Sequence, residues 1–309
     1  MVATHINEMK KEDKKKDYLS SLKSIETENI IDQIFYRPLG YKIAKALQNT
    51  VITPNAVTII SIFVGISAGV FWFFPYNISY AILGILALIT ANILDCVDGQ
   101  LARLTGIKSE VGRILDGFAG DLWFLSIYIA FGHRLYLEDP NIPIWVFVFL
   151  PLVSALSHLQ QASITDYYKT LHLFFISKDK GKEFENSKII EARYKDMPRG
   201  INKIITWGYI HYTKNQEKDT PQLQKMLVRL NESYGNDIPQ ELREKLRMKS
   251  SKLMPLLDFN TFNGRSIILF ISVLFNIPLL YFAWEIIVLR VLRLVIRAKH
   301  ENFCARIER

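Results

Sequence analysis

The sequence predicts an all-α, polytopic membrane protein, and three observations predict it. Half of the 309 residues are hydrophobic, and they arrive in blocks. A bilayer span needs roughly 20 mostly apolar residues, and six blocks approach that length, some of them short or interrupted. The formal net charge is nevertheless +8, with lysine and arginine gathered between the blocks. The two cysteines, Cys96 and Cys304, fit neither a disulfide framework nor a metal-ligand spacing.

The elements follow in order. Residues 1–29 read as a basic, flexible N-terminus carrying Lys10, Lys11, Lys14, Lys15 and Lys16, without the compact apolar core of a cleaved signal peptide. In "IIDQIFYRPLGYKIAKAL", Ile30 to Leu47, apolar residues recur at helical intervals around Arg37, Lys42 and Lys45. That pattern predicts an amphipathic helix in the membrane interface over residues 30–50, with a soluble packing helix as the alternative. Thr53 before Pro54 reads as an N-cap followed by a first-turn proline.

The expected spans are Val57–Phe74, Tyr80–Leu94, Leu122–Phe131 with its preceding turns, Ile144–Leu156, Ser266–Phe275 and Leu279–Leu289. The first four belong to a catalytic half over residues 51–168, and the last two to residues 253–298. Between them residues 169–252 are polar, and two amphipathic stretches there begin at Pro221 and Pro239. This reads as a helical cytoplasmic insertion, whose basic residues either meet anionic lipid or form a solvated surface. Residues 299–309 form a tail.

With six spans, the N-terminus, the Arg103–Lys108–Arg113 segment, the insertion and the tail share one side. The connections Pro75–Ser79 and Gly132–Pro143 face the other, with only His133 and Arg134 as potential cations. Basic loops stay in the cytoplasm. Both termini and the loop after the second span are therefore expected there, the membrane being the inner or cytoplasmic one if the source is bacterial. Membrane lipids are expected partners and nucleic acid is not.

The stretch "LDCVDGQLARL" carries the chemistry. Asp95 and Asp98 are three apart and share a helix face, and Asp116 and Asp121 follow at the start of the next apolar run. Carboxylates at the ends of two consecutive spans are costly unless compensated. Hard oxygen ligands of this kind suit magnesium or manganese, with calcium as an alternative; separate solvated carboxylates would account for one aspartate better than for four. Gly99 and Ala102 leave room for a ligand, and Arg103 suits phosphate oxygens.

"DCVDGQLARLTGIKSEVGRILD" resembles the signature of the CDP-alcohol phosphotransferases. Asp95, Asp98, Gly99, Ala102, Arg103, Gly112 and Asp116 match its residue types and gaps. The likeness runs from about Ile30 to Phe131 and takes in "ITPNAVT". It implies attack of an alcohol on the β-phosphate of a CDP-linked donor, with CMP leaving. It also implies two metal ions, Mg2+ or Mn2+, on Asp95, Asp98 and Asp116, and contacts to the CDP moiety from Asp95, Gly99, Ala102, Arg103 and Ser109. Asn55 and Thr58 would lie near that moiety, and a homodimer is common in the family.

The family's last aspartate, a metal ligand and general base, falls on Gly120; Asp121 comes one residue later. A π-bulge would bring Asp121 to the missing position, and the alternative is a site without its base. For the acceptor alcohol, the candidates are polar residues in apolar surroundings: His158, Gln161, Asp166, Asn260, Asn263 and Arg265. Arg265 would suit an anionic acceptor, and "NTFNGR" also reads as a capped helix entry. Glu285 is expected to pair with Arg290. Two further readings stand beside the phosphotransferase: an intramembrane prenyltransferase using magnesium diphosphate, and a non-catalytic CDP-lipid-binding relative. The first lacks its second Asp-rich motif; the second is motivated by Gly120.

Overall fold

The computed structural model describes residue 12 and residues 15–107, 109–138, 141–235 and 237–307. Lys10, Lys11, Lys14 and Lys108, part of the 132–143 connection and the end of the tail lie outside the described residues. Among the described residues all regular structure is helical. The chain divides into two compact units, Met1–Ala130 and Phe131–Arg309.

In the first unit, helix α1 (Arg37–Leu47) follows a π-turn at Asp32–Tyr36. Its buried face is Gly40 and Ala44. Gly40 is required by proximity: a Cβ there would stand 2.9 Å from that of Cys96 and 2.6 Å from Gln100 Oε1. Helix α2 (Pro54–Phe73) starts as its sequence dictates, with Pro54 at the first turn and the Thr53 hydroxyl accepting from the Ala56 amide. Helix α3 (Ile78–Thr105) is capped by Asn77, and α4 (Glu110–Glu138) runs on past the unit boundary. Val57, Val97 and Leu101 pack with Ala44 of α1. Ahead of α1, residues 15–20 are helical, and Ser21, Leu22 and Ser24 are buried.

In the second unit α5 (Ile144–Ile176) has 33 residues, about 50 Å of helix, which is more than a bilayer requires. Its second half builds the core of the insertion. Tyr168, Leu171 and Phe175 pack in one cluster with Leu223, Met226, Leu246 and Ile296. Helices α6 (Ser187–Lys195), α7 (Ile201–Asp219), α8 (Pro221–Tyr234) and α9 (Gln240–Ser251) form that insertion. Each fully buried leucine or methionine contributes about 1.5–3 kcal/mol to a segment that is polar on average.

Four helices are long and apolar enough to cross a membrane: Pro54–Phe73, Ile78–Thr105, Gly112–Glu138 and Ile144–Ile176. Of the two further apolar stretches, one is the shorter helix Phe262–Leu274. The other begins at Pro278–Ala283, passes a π-turn at Trp284–Val288 and continues through Leu289–Arg306, where Arg290, Arg293 and Arg297 replace the apolar pattern. The chain is an all-α polytopic membrane protein.

Candidate active site

The first unit brings Asp95, Asp98 and Asp116 together. One carboxylate oxygen from each lies within 4.8 Å of the other two. Asp98 is buried, and Asp95 and Asp116 are half-buried. The geometry comes from two helices: α3 places Asp95 and Asp98 one turn apart, and α4 delivers Asp116 from the neighbouring span. The Thr58 hydroxyl, on α2, donates to Asp98 Oδ2 at 2.6 Å, which fixes the carboxyl plane. Asp98 Oδ1 is buried and accepts no hydrogen bond. An orphaned carboxylate oxygen of this type is costly unless a cation meets it. Three hard oxygen donors and this orphan fit a divalent cation.

The start of α4 is held by Ser109, whose hydroxyl accepts from the Gly112 amide at 2.9 Å and from Asn55 Nδ2 at 3.2 Å. Gly112 is demanded by this packing, since a Cβ would fall 2.2 Å from Asn55 Oδ1. The Arg103 guanidinium lies over Gly99, where a Cβ would be 3.1 Å from Nη2. Its Nε donates to the carbonyl of Ser21. The buried Gln100 donates to the Ser21 hydroxyl at 3.1 Å. Ala102 is half-buried beside them. Ser21 and Gln100 carry no motif signal, and their separation in the chain hides the contact from sequence reasoning.

Asp121 does not join the carboxylate group among the described residues. The anticipated π-bulge is absent, because Glu110–Glu138 is α-helical throughout. On that regular helix Asp121 stands about 140° around the axis from Asp116. Nothing packs against Gly120 to force a bulge: an added Cβ would meet no atom within 4 Å.

In the second unit a separate polar cluster assembles inside the helices. Arg265 Nη1 pairs with Glu285, Nη2 donates to Gln161 Oε1 at 2.7 Å, and Nε donates to the Asn260 carbonyl at 3.0 Å. Gln161 Nε2 donates to the Glu285 carbonyl at 2.9 Å and to Ser157 at 2.8 Å. His158 Nδ1 is 3.9 Å from Glu285 Oε1, and the Asn260 side-chain amide is buried without a partner. Asn263 is buried in the same helix as Arg265, whereas Asp166 is exposed. The expected Glu285–Arg290 pair is corrected: Glu285 is fully buried and turns to Arg265, while Arg290 is exposed.

The fold and site thus define a helical membrane protein with a three-carboxylate centre suited to a divalent cation. Residues 51–178 match the family model of the CDP-alcohol phosphatidyltransferases, and this segment of the chain is similar to that family. The family transfers substituted phosphate groups from CDP-alcohols in lipid synthesis. No curated protein matches the chain.

Proposed function

We propose that the chain is a metal-dependent CDP-alcohol phosphotransferase that moves a phosphatidyl group from a CDP-linked lipid to an alcohol. It releases CMP and acts in the synthesis of phospholipids or related phosphodiester lipids such as inositol lipids or sphingolipids. The observation that carries this reading is the convergence of Asp95, Asp98 and Asp116 around the unsatisfied Asp98 Oδ1. These three residues would hold Mg2+ or Mn2+. Such ions supply Lewis-acid neutralisation of the diphosphate charge.

The protein's own groups then have distinct tasks. Thr58 holds Asp98 in orientation, and Asn55, Ser109 and Gly112 shape the entry to α4 where the cytidine end of the donor would rest. Arg103, whose Nε donates to the Ser21 carbonyl beside Gly99, is the motif's cation for a donor phosphate. Asp116 is the carboxylate on α4 closest in role to the proton acceptor for the attacking hydroxyl, with Asp121 displaced from the family's position. Arg265 is neutralised by Glu285, which favours an uncharged alcohol over an anionic one if His158, Gln161, Asn260 and Asn263 line the acceptor's path. The distribution of basic loops supports an active site on the cytoplasmic side, and a homodimer is the assembly we favour.

CMP release by the protein in lipid nanodiscs tests this. CDP-diacylglycerol, magnesium and a pool of inositol, inositol phosphate, glycerol phosphate, serine and ceramide would be supplied, with lipids read by mass spectrometry. Magnesium-dependent CMP with a new lipid mass is the expected result and names the acceptor. CMP appearing only from CDP-ethanolamine or CDP-choline would reverse the roles of lipid and soluble partner. CDP binding with no CMP from any donor would establish instead the non-catalytic reading that Gly120 motivates.

A further inference from the structure

Helix α7 presents an apolar stripe that no part of its own unit covers. Ile201 and Ile204 are 72% and 70% exposed and Trp207 is 54% exposed. They follow one another at three-residue steps and so form one stripe. The opposite face of α7 supplies the buried residues Thr206, Ile210, Thr213 and Gln216. Ile189, Val228 and Met248 are also exposed in this insertion, but on other helices, whereas Ile201, Ile204 and Trp207 line up on one. They require an occupant.

We infer that α7 is a second interfacial helix, which seats Ile201, Ile204 and Trp207 in the boundary of an anionic bilayer. Two independent observations support a bilayer as the occupant.

The first is depth. The large exposed side chains of α5 run from Ile144 and Trp145 through Val148, Phe149, Leu152 and Leu156 to Leu159, and none follows on that helix. Ser163 lies one turn further on, about 28 Å along the axis from Ile144, close to the thickness of a hydrocarbon core. At that level the far end of α7 is tied down. Gln216 Nε2 donates to the Ser163 carbonyl at 2.9 Å. Asp219, the last residue of α7, pairs with Arg293, which also donates to Gln160 at 3.2 Å. One end of α7 is therefore held at headgroup height.

The second is charge. From Ser187 to Lys203 there are five cations, Lys188, Arg193, Lys195, Arg199 and Lys203, against Glu191 and Asp196. Lys188, Lys195 and Arg199 are exposed. Lys203 donates to the Met197 carbonyl at 2.8 Å and sits 4.8 Å from the centre of the Tyr194 ring, which holds the basic loop against the start of α7. Tryptophan with isoleucine on one face and lysine or arginine at the border is the side-chain set that anionic interfaces retain. The inference rests on the membrane reading of α5 and not on the catalytic assignment.

The test places an environment-sensitive nitrobenzoxadiazole label on Ile204→Cys in the full-length protein. The native Cys96 and Cys304 are buried, and unmodified protein gives the background. The protein is held in nanodiscs with and without about 30 mol% phosphatidylglycerol. We expect quenching by lipids bearing a nitroxide just below the headgroup and protection from aqueous iodide, about twofold or more relative to a label on the exposed Glu241→Cys. Lys195→Gln with Arg199→Gln should remove the dependence on phosphatidylglycerol. Iodide quenching equal to that at position 241, with no nitroxide effect, would overturn the inference. So would label-to-label energy transfer that disappears on dilution with unlabelled protein, since the occupant would then be a second copy. If Ile204→Cys does not fold, Ile201→Cys carries the same readout one turn away.

Discussion

The Thr58 hydroxyl donates to Asp98 Oδ2 at 2.6 Å, joining two helices across forty positions of the chain. It leaves Oδ1 as the buried oxygen without a partner. Thr58 is therefore a group that aims a metal ligand. Thr58→Val keeps the shape and removes the donor. Loss of such an outer partner typically costs 10- to 100-fold in metal affinity, so about that increase is expected in the magnesium concentration for half-maximal CMP release. An unchanged magnesium dependence would remove Thr58 from the site.

Asp98→Asn is expected to abolish CMP release at any magnesium concentration while the protein still folds in detergent. The amide keeps the size of the side chain but gives up the charge that the cation offsets. A chelator should do the same to the unmodified protein, reversibly on adding Mg2+ or Mn2+. Retained turnover in Asp98→Asn would falsify the assignment of the site.

The Gly120 departure gives a paired prediction. Asp121 stands about 140° from Asp116 on a regular helix, so Asp121→Asn should leave the rate within about threefold. Gly120→Asp restores a carboxylate at about 40° from Asp116, and the space there is open. A well-placed general base contributes roughly 10²–10⁴-fold, so a gain of at least about tenfold is expected from Gly120→Asp. Loss of activity in Asp121→Asn would show that α4 rearranges when substrate binds.

The carboxylate centre was legible in the sequence because its residues lie within one helix pair at fixed gaps, where helical spacing nearly dictates convergence. The helices opened by Pro221 and by Pro239 were legible for a similar local reason. The contacts that failed to show are those set by tertiary packing. Ser21 meets Gln100 and Arg103 across 79 and 82 positions, with no periodicity to link them. Glu285 was paired with Arg290 on nearness in sequence, whereas burial turned it to Arg265. The expected π-bulge assumed that function must reshape α4, but an uninterrupted hydrogen-bond ladder is cheaper when no neighbour crowds Gly120.

The Arg265–Glu285 pair is buried on both sides, at 1% and 0% exposure. Removing one partner of such a pair costs about 3–5 kcal/mol because the other charge is stranded. Arg265→Met and Glu285→Met should each lower the thermal midpoint in detergent. Arg265→Met with Glu285→Met should recover most of the loss, because neither charge is then left alone. Additive losses in the double variant would show that the two residues act separately.

The last prediction concerns acid. His300 lies in the closing helix beyond the apolar stretch, stacked on Tyr168 with ring centres 3.9 Å apart and with Nδ1 3.5 Å from Cys304 Sγ. Burial pushes its pKa down from 6.5 to about 3. The folded protein therefore keeps His300 neutral while the unfolded chain takes up a proton below pH 6.5. Stability linked to this group is intact above the unfolded value and falls as the pH drops toward 3, by up to about 1.4 kcal/mol per pH unit. His300→Phe retains the ring stacking and cannot titrate, so its thermal midpoint should fall less steeply between pH 6.5 and pH 4 than that of the unmodified protein. Parallel curves for the two proteins would show that another group governs the acid limb.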